Sequence, residues 1–162
     1  MSELQDPYLS RRSEQLVLEG YRFWSSGIIT GDERFLQRAW DLFSRNLGMA
    51  EGQLALDALT KFTRTLGLCA TCPLKTNHIG CPHLCRDEVL ILGLLAGIQH
   101  NCETTIILCL DELSCPSRCQ EVIEAAEIFA TTLKTLGRTL VPVPAGAIKS
   151  ILSGAASKAT LH

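Results

Sequence analysis

A chain of 162 residues with 46% hydrophobic content is long enough to bury one self-sufficient core and short for two. Fifteen basic against seventeen acidic residues leave a net charge of −2, so no broad positive field exists to neutralise phosphates, which argues against nucleic-acid binding. Residues 1–10 lack the basic and apolar regions of a secretory signal, and the twin-arginine echo at Arg11-Arg12 is followed by Glu14, Glu19 and Arg22 where such a signal needs apolar residues. The apolar run at residues 89–98 covers about half of the roughly 20 residues a membrane helix needs. A cytoplasmic protein without a membrane span is the expectation.

Apolar residues recur at helical spacing and strand-like alternation is nearly absent, which predicts an all-α, single-domain helical bundle of about five to six helices. Residues 1–9 read as an N-terminal extension, 10–152 as the helical domain and 153–162 as a flexible tail. The first helix is expected over residues 10–26, with Val17, Tyr21, Trp24 and Ile28 as its stripe, Arg12, Glu19 and Arg22 off it, and Gly27 as its end. A second starts near Thr30 or Asp32, carries Leu36, Trp40, Phe43 and Leu47 on one face, and closes at Gly48.

The third, over residues 49–66, places Ala55, Leu59, Phe62 and Leu66 on one side, with Gly67 as cap. A Cys-rich loop follows, and a fourth helix is expected to open near Pro82 and to be apolar all round from Val89 to Ile98, which implies a central position. Residues 103–113 form either a short fifth helix or a continuation of the fourth past Asn101. Residues 116–136 form the last long helix, with Val122, Ala126, Phe129, Leu133 and Leu136 inward and Gly137 ending it. Residues 141–144 are extended because each proline disfavours helix before it, and residues 145–152 form a small docking helix. No internal repeat is visible.

All eight cysteines fall between Cys69 and Cys119. Thiols kept reduced in the cytoplasm turn that even count away from disulfides and toward metal or redox chemistry. Cys69, Cys72, Cys81 and Cys85 form C-x2-C and C-x3-C pairs across a loop punctuated by Pro and Gly, a pattern that suits an all-thiolate zinc site or an iron-sulfur cluster. Proline directly after Cys72, Cys81 and Cys115 also occurs beside the ligands of ferredoxin-type clusters and tilts the reading toward iron and sulfide. Copper(I) is a third candidate, lacking methionine helpers.

Residues four apart share a helical face, so Cys81 with Cys85, and Cys115 with Cys119, are each expected to present two sulfurs to one point. Both pairs fall at expected helix starts, where the dipole favours thiolate. The expected metal ligands are therefore Cys69, Cys72, Cys81 and Cys85, with Cys115 and Cys119 as possible additions. Cys102 and Cys109 read as core thiols. His78 and His83, within reach of a Cys-to-His exchange, read more simply as solvated residues, and His100 as a helix-end imidazole.

The remaining signals are bland. Residues 44–59 have the outline of a helix-turn-helix, but Glu51 and Asp57 with no basic residue before Lys61 favour two packed amphipathic helices. Asp111, Glu112, Glu121, Glu124 and Glu127 lack the Glu-x-x-His of a di-metal site and read as a solvated face. Trp24, Trp40, Phe23 and Phe35 are spaced as core anchors. Neither a phosphate-cradling loop nor a nucleophile elbow is present.

The C-x2-C pair in a helical setting resembles thiol peroxidase-like helical proteins in a general way. Those place a histidine shortly after the second cysteine and a glutamate before the first, whereas the nearest upstream acidic residue here is Asp57. The sequence thus predicts a small metal-binding protein, holding an iron-sulfur cluster or zinc, with a redox-sensing or regulatory role, a protein partner and no assigned catalytic residue. The alternatives are a thiol-disulfide oxidoreductase or peroxidase-like enzyme in which Cys69 attacks and Cys72 resolves, and a metal-free helical scaffold.

Overall fold

The computed structural model describes residues 12–69 and 75–161, and the expected N-terminal extension lies outside them. The described residues form seven α-helices and no strand: α1 (Arg12–Thr30), α2 (Glu33–Leu47), α3 (Met49–Cys69), α4 (Arg86–Gln99), α5 (Glu103–Leu113), α6 (Cys119–Thr135) and α7 (Ala145–Leu161). A single 3-10 turn, Pro116–Arg118, leads into α6. The all-helical expectation holds, with more helices than expected.

One reason for the larger number is the break after α4. Asn101 adopts a positive φ of 57°, a conformation Asn tolerates better than most residues, and the Cys102 N–H turns back to the Gly97 carbonyl at 2.8 Å. Residues 103–113 are therefore a separate helix, folded back along α4. α7 is longer than expected, running from Ala145 to Leu161 where a docking helix over residues 145–152 was expected.

The start of α2 and the end of α6 follow their caps. The Asp32 carboxylate accepts from the Arg34 N–H at 3.0 Å. Gly137 takes φ 78° while the Arg138 N–H reaches the Leu133 carbonyl at 2.8 Å. Two other expected caps fail. α1 continues through Gly27 to Thr30, because Gly27 is buried against Leu36 and Phe35 of α2 and serves close approach rather than termination. The same extension leaves Ile28, an expected stripe residue, 58% exposed. α3 continues through Gly67 to Cys69.

α4 occupies the centre, and the expectation of a helix apolar on every side is met. Val89 to Ala96 are all buried, and α1, α5, α6 and α7 pack around them. Phe43, Phe62, Leu66, Val122, Ala126, Phe129 and Leu133 complete one continuous core. Trp24 is also buried, whereas Trp40, Phe23 and Phe35 are only half-buried at its margin.

Between α6 and α7 the extended segment is fixed by side chains. The Gln99 carboxamide accepts from the Leu140 N–H at 2.7 Å and donates to the carbonyls of Ala130 and Arg138 at 3.0 and 3.1 Å. The Val141 N–H donates to buried Glu14 at 2.7 Å, and the Thr105 hydroxyl reaches the Val143 carbonyl. Backbone groups that no ladder satisfies thus find partners inside the protein.

Close contact between α4 and α5 depends on two glycines one turn apart. A Cβ at Gly93 would stand 2.9 Å from the Cys109 sulfur, and one at Gly97 would stand 3.1 Å from Ile106. Gly93→Ala should therefore destabilise by about 1–3 kcal/mol through overpacking. Urea denaturation of Gly93→Ala, Cys109→Ala and the double variant checks this: the double variant should lose less stability than the sum of the two singles.

Candidate functional site

Residues 75–78, ahead of α4, carry no regular structure, and one buried ion pair organises the described part of the loop from residue 76 to residue 85. Arg22 of α1 and Glu88 of α4 are both fully buried at the side chain and meet through two parallel bonds, Nε to Oε2 at 2.7 Å and Nη2 to Oε1 at 3.0 Å. Arg22 also donates from Nη1 to the Cys81 carbonyl at 3.0 Å and to Glu19 at 3.4 Å, and from Nη2 to the His83 carbonyl at 2.9 Å. All five guanidinium hydrogens are used.

Glu88 in turn gathers the loop. Its carboxylate accepts from the Thr76 hydroxyl at 2.8 Å, the Asn77 N–H at 3.2 Å and the Cys85 N–H at 3.0 Å. The last of these is the return half of a capping box whose N-cap is Cys85. Asn77 donates to the His83 carbonyl, and the Lys75 N–H to Asp87 at 2.8 Å. Sequence reasoning placed Arg22 off the apolar stripe of α1 and missed this role. The capping-box spacing from Cys85 to Glu88 was the available signal for Glu88.

The loop also corrects the expected start of α4. The helix begins at Arg86, not near Pro82, because the carbonyls of Cys81 and His83 accept from Arg22 instead of from a following helical turn. Cys81 and Cys85 therefore do not share a helical face: Cys81 closes a turn on the His78 carbonyl, and Cys85 is the cap. Cys115 and Cys119 are likewise separated by the 3-10 turn, with α6 beginning at Cys119. Cys72 and the side chain of Cys69 lie outside the described residues.

Topology brings the remaining candidates to one end of the bundle. The α4–α5 hairpin is antiparallel, with Gly97 beside Ile106, Gly93 beside Cys109, and Arg86 paired with Glu112. The start of α4, with Cys81 and Cys85, consequently lies at the same end as Cys115 and Cys119, which follow α5. α3 packs along α6 in the opposite sense, since Arg138, just after α6, donates to the Asn46 carbonyl just before α3 and Phe62 further along α3 meets Phe129 in the middle of α6, so α3 ends at Cys69 on the side where α6 starts. Among the described residues no three His, Cys, Asp or Glu side chains converge in the geometry of a metal site.

The thiols differ in chemistry. Cys85 donates to the Lys75 carbonyl at 3.3 Å, and burial followed by the nearby Glu88 charge pushes its pKa up to about 11, against the thiolate expected at a helix start. Cys115 moves the other way, its sulfur held by the Ser117 hydroxyl at 3.4 Å, which lowers its pKa. Cys119 meets the Ser114 hydroxyl at 3.1 Å. Cys109 is buried in the core and pushed up to about 12. Cys102, expected in the core, instead caps α5 half-buried, and the Thr105 hydroxyl lowers its pKa.

His78 and His83 are exposed, and His100 meets the Leu140 carbonyl through Nε2 at 2.7 Å. Asp111, Glu112, Glu121, Glu124 and Glu127 are exposed as expected of a solvated face. A shallow groove of about 430 Å³ lies between α3 and α6, lined by Leu54, Ile128, Leu136 and three threonines. No described helix is long and apolar enough to cross a membrane.

Two outcomes follow from these environments. Alkylation by iodoacetamide, followed residue by residue by mass spectrometry, should label Cys115 well before Cys85 near neutral pH, with the Cys85 rate still climbing toward pH about 11 and Cys109 protected until unfolding. For Glu88, burial opposes the charge, but the bonds from Arg22, Cys85 and Thr76 outweigh it and hold the carboxyl below its ordinary value. Its contribution to stability is complete above the unfolded carboxyl value of about 4.3 and is lost as pH falls through the lower folded value. Glu88→Gln should flatten that part of the acid limb in denaturation midpoints measured against pH.

No protein-family model, curated protein or solved structure matches this chain.

Proposed function

We propose that this chain is a small metal-binding protein whose Cys-rich loop, between α3 and α4, holds an iron-sulfur cluster or zinc through Cys69, Cys72, Cys81 and Cys85. Cys115 and Cys119 stand ready to extend or exchange the ligand set. The observation that carries the reading is the antiparallel α4–α5 hairpin, which gathers Cys81, Cys85, Cys115 and Cys119 at the bundle end toward which α3 directs Cys69. Sulfur ligands in that number suit a soft or borderline cation better than magnesium or calcium.

Loading requires proton release, because a metal-bound cysteine is a thiolate and Cys85 is held as the neutral thiol. The cation supplies the positive charge that offsets the cost of ionising a sulfur beside Glu88. With iron and sulfide the centre would sense redox state or carry electrons. With zinc it would be structural, and the protein an interaction module. A regulatory role also implies a protein partner that reads the state of the centre.

Elemental and acid-labile sulfide analysis of anaerobically purified protein tests the proposal. Iron with sulfide and a brown chromophore, or stoichiometric zinc without colour, supports it, and Cys81→Ser/Cys85→Ser should abolish either. Metal-free protein that takes up neither zinc nor cobalt(II) and carries a titratable disulfide would replace it with the thiol-disulfide oxidoreductase reading.

A further inference from the structure

We propose that the groove between α3 and α6 is a docking site for a basic amphipathic helix of a partner protein. Binding there needs no metal in the Cys-rich loop, since the groove runs along residues 127–136, the half of α6 remote from Cys119. Its walls hold two aliphatic side chains that the fold leaves in water, Leu54 of α3 at 58% exposure and Ile128 of α6 at 48%, with Leu136 half-buried at one end. A volume of about 430 Å³ is that of a binding cleft.

Threonines make up much of the remaining wall, and two of their hydroxyls are already used. Thr132 donates to the Ile128 carbonyl at 2.6 Å and Thr135 to the Thr131 carbonyl at 2.9 Å, one turn back in each case. With those donors satisfied inside the helix, the wall favours apolar contact over hydrogen bonding. Ile128 and Leu136 stand about 12 Å apart along α6, a span that anchors at i and i+7 of an incoming helix, about 10 Å apart, can cover.

The surrounding charges select the partner. Glu127 lines the groove, Glu124 stands one turn before Ile128 on the same face of α6, and Glu51 and Asp57 flank Leu54 on α3. All four are exposed, and none forms an ion pair among the described residues. Asp57 and Glu124 accept from the neutral amides of Gln53 and Gln120. Lys134 and Arg138 are turned to the Gln99 and Asn46 carbonyls, and Lys61, one turn beyond Asp57, leaves the balance in favour of the carboxylates. An apolar strip between carboxylates is complementary to a helix with aliphatic residues along one face and Lys or Arg on both sides of them.

The probe is a synthetic peptide of about 15–20 residues, long enough to be helical, with leucine at i, i+4, i+7 and i+11 and lysine on both flanks, titrated into the full chain by fluorescence anisotropy. It should bind about tenfold or more tightly than a peptide of the same composition in scrambled order, and Ile128→Arg should weaken it by about tenfold or more. Glu124→Lys/Glu127→Lys should weaken the lysine peptide and strengthen a glutamate-flanked counterpart, an exchange of preference that loss of folding does not produce. The substituted side chains are exposed, so melting temperatures should stay near wild type. No binding, equal affinity for ordered and scrambled peptides, or wild-type affinity in Ile128→Arg would overturn the proposal. A chain that self-associates, and that Ile128→Arg makes monomeric in sedimentation, would overturn it too by assigning the groove to a second copy.

Discussion

A charge buried without water must be met by an opposite charge and by every hydrogen bond it can make, and this protein meets that demand with residues 66 positions apart in the chain. Arg22 on α1 and Glu88 on α4 satisfy one another only when both helices and the intervening loop are in place together. The requirement is mutual: without Arg22 the loop carbonyl at Cys81 would lose its side-chain donor and that at His83 would keep only Asn77, and Arg22 would hold an uncompensated charge without Glu88. Removing either member therefore costs more than the pair itself contributes.

Much of the helical architecture was legible from apolar spacing because the outer helices bury an apolar stripe and α4 is apolar all round. Asp32 and Gly137 marked ends correctly, since their effects are local and need no knowledge of the fold. Gly27 and Gly67 misled for a related reason. A glycine ends a helix only where the chain turns: Leu36 and Phe35 press on Gly27 and use it for close approach, and α3 carries straight on through Gly67. Pro82 misled because its permissiveness in a first helical turn does not compel one, and Arg22 takes the carbonyls on either side of it.

The candidate site was legible as a cluster along the chain and not as an arrangement in space. Periodicity identifies the face a residue occupies, but not a partner 59 or 66 residues away, so Arg22 read as an off-stripe arginine. The relation of Cys81 and Cys85 to Cys115 and Cys119 likewise appears only once α5 is known to fold back along α4. Cys85 shows the limit of reasoning from one local field: a helix start favours thiolate, yet burial and Glu88 reverse the sign. Position thus gives chemically identical residues different characters, with Cys109 sealed between α4 and α5 and Cys115 open to solvent chemistry.

The Gln99 clamp gives α7 an attachment that differs from ordinary helix docking. Ile148 and Ile151 bury an apolar face, but the segment leading to them is held by a carboxamide in the middle of the molecule. A chain shortened to end after α6 would strand the Gln99 oxygen in the interior and uncover apolar surface at the same time. The C-terminal helix is in that sense a plug rather than an appendage, and detaching it would admit solvent to the centre of the fold.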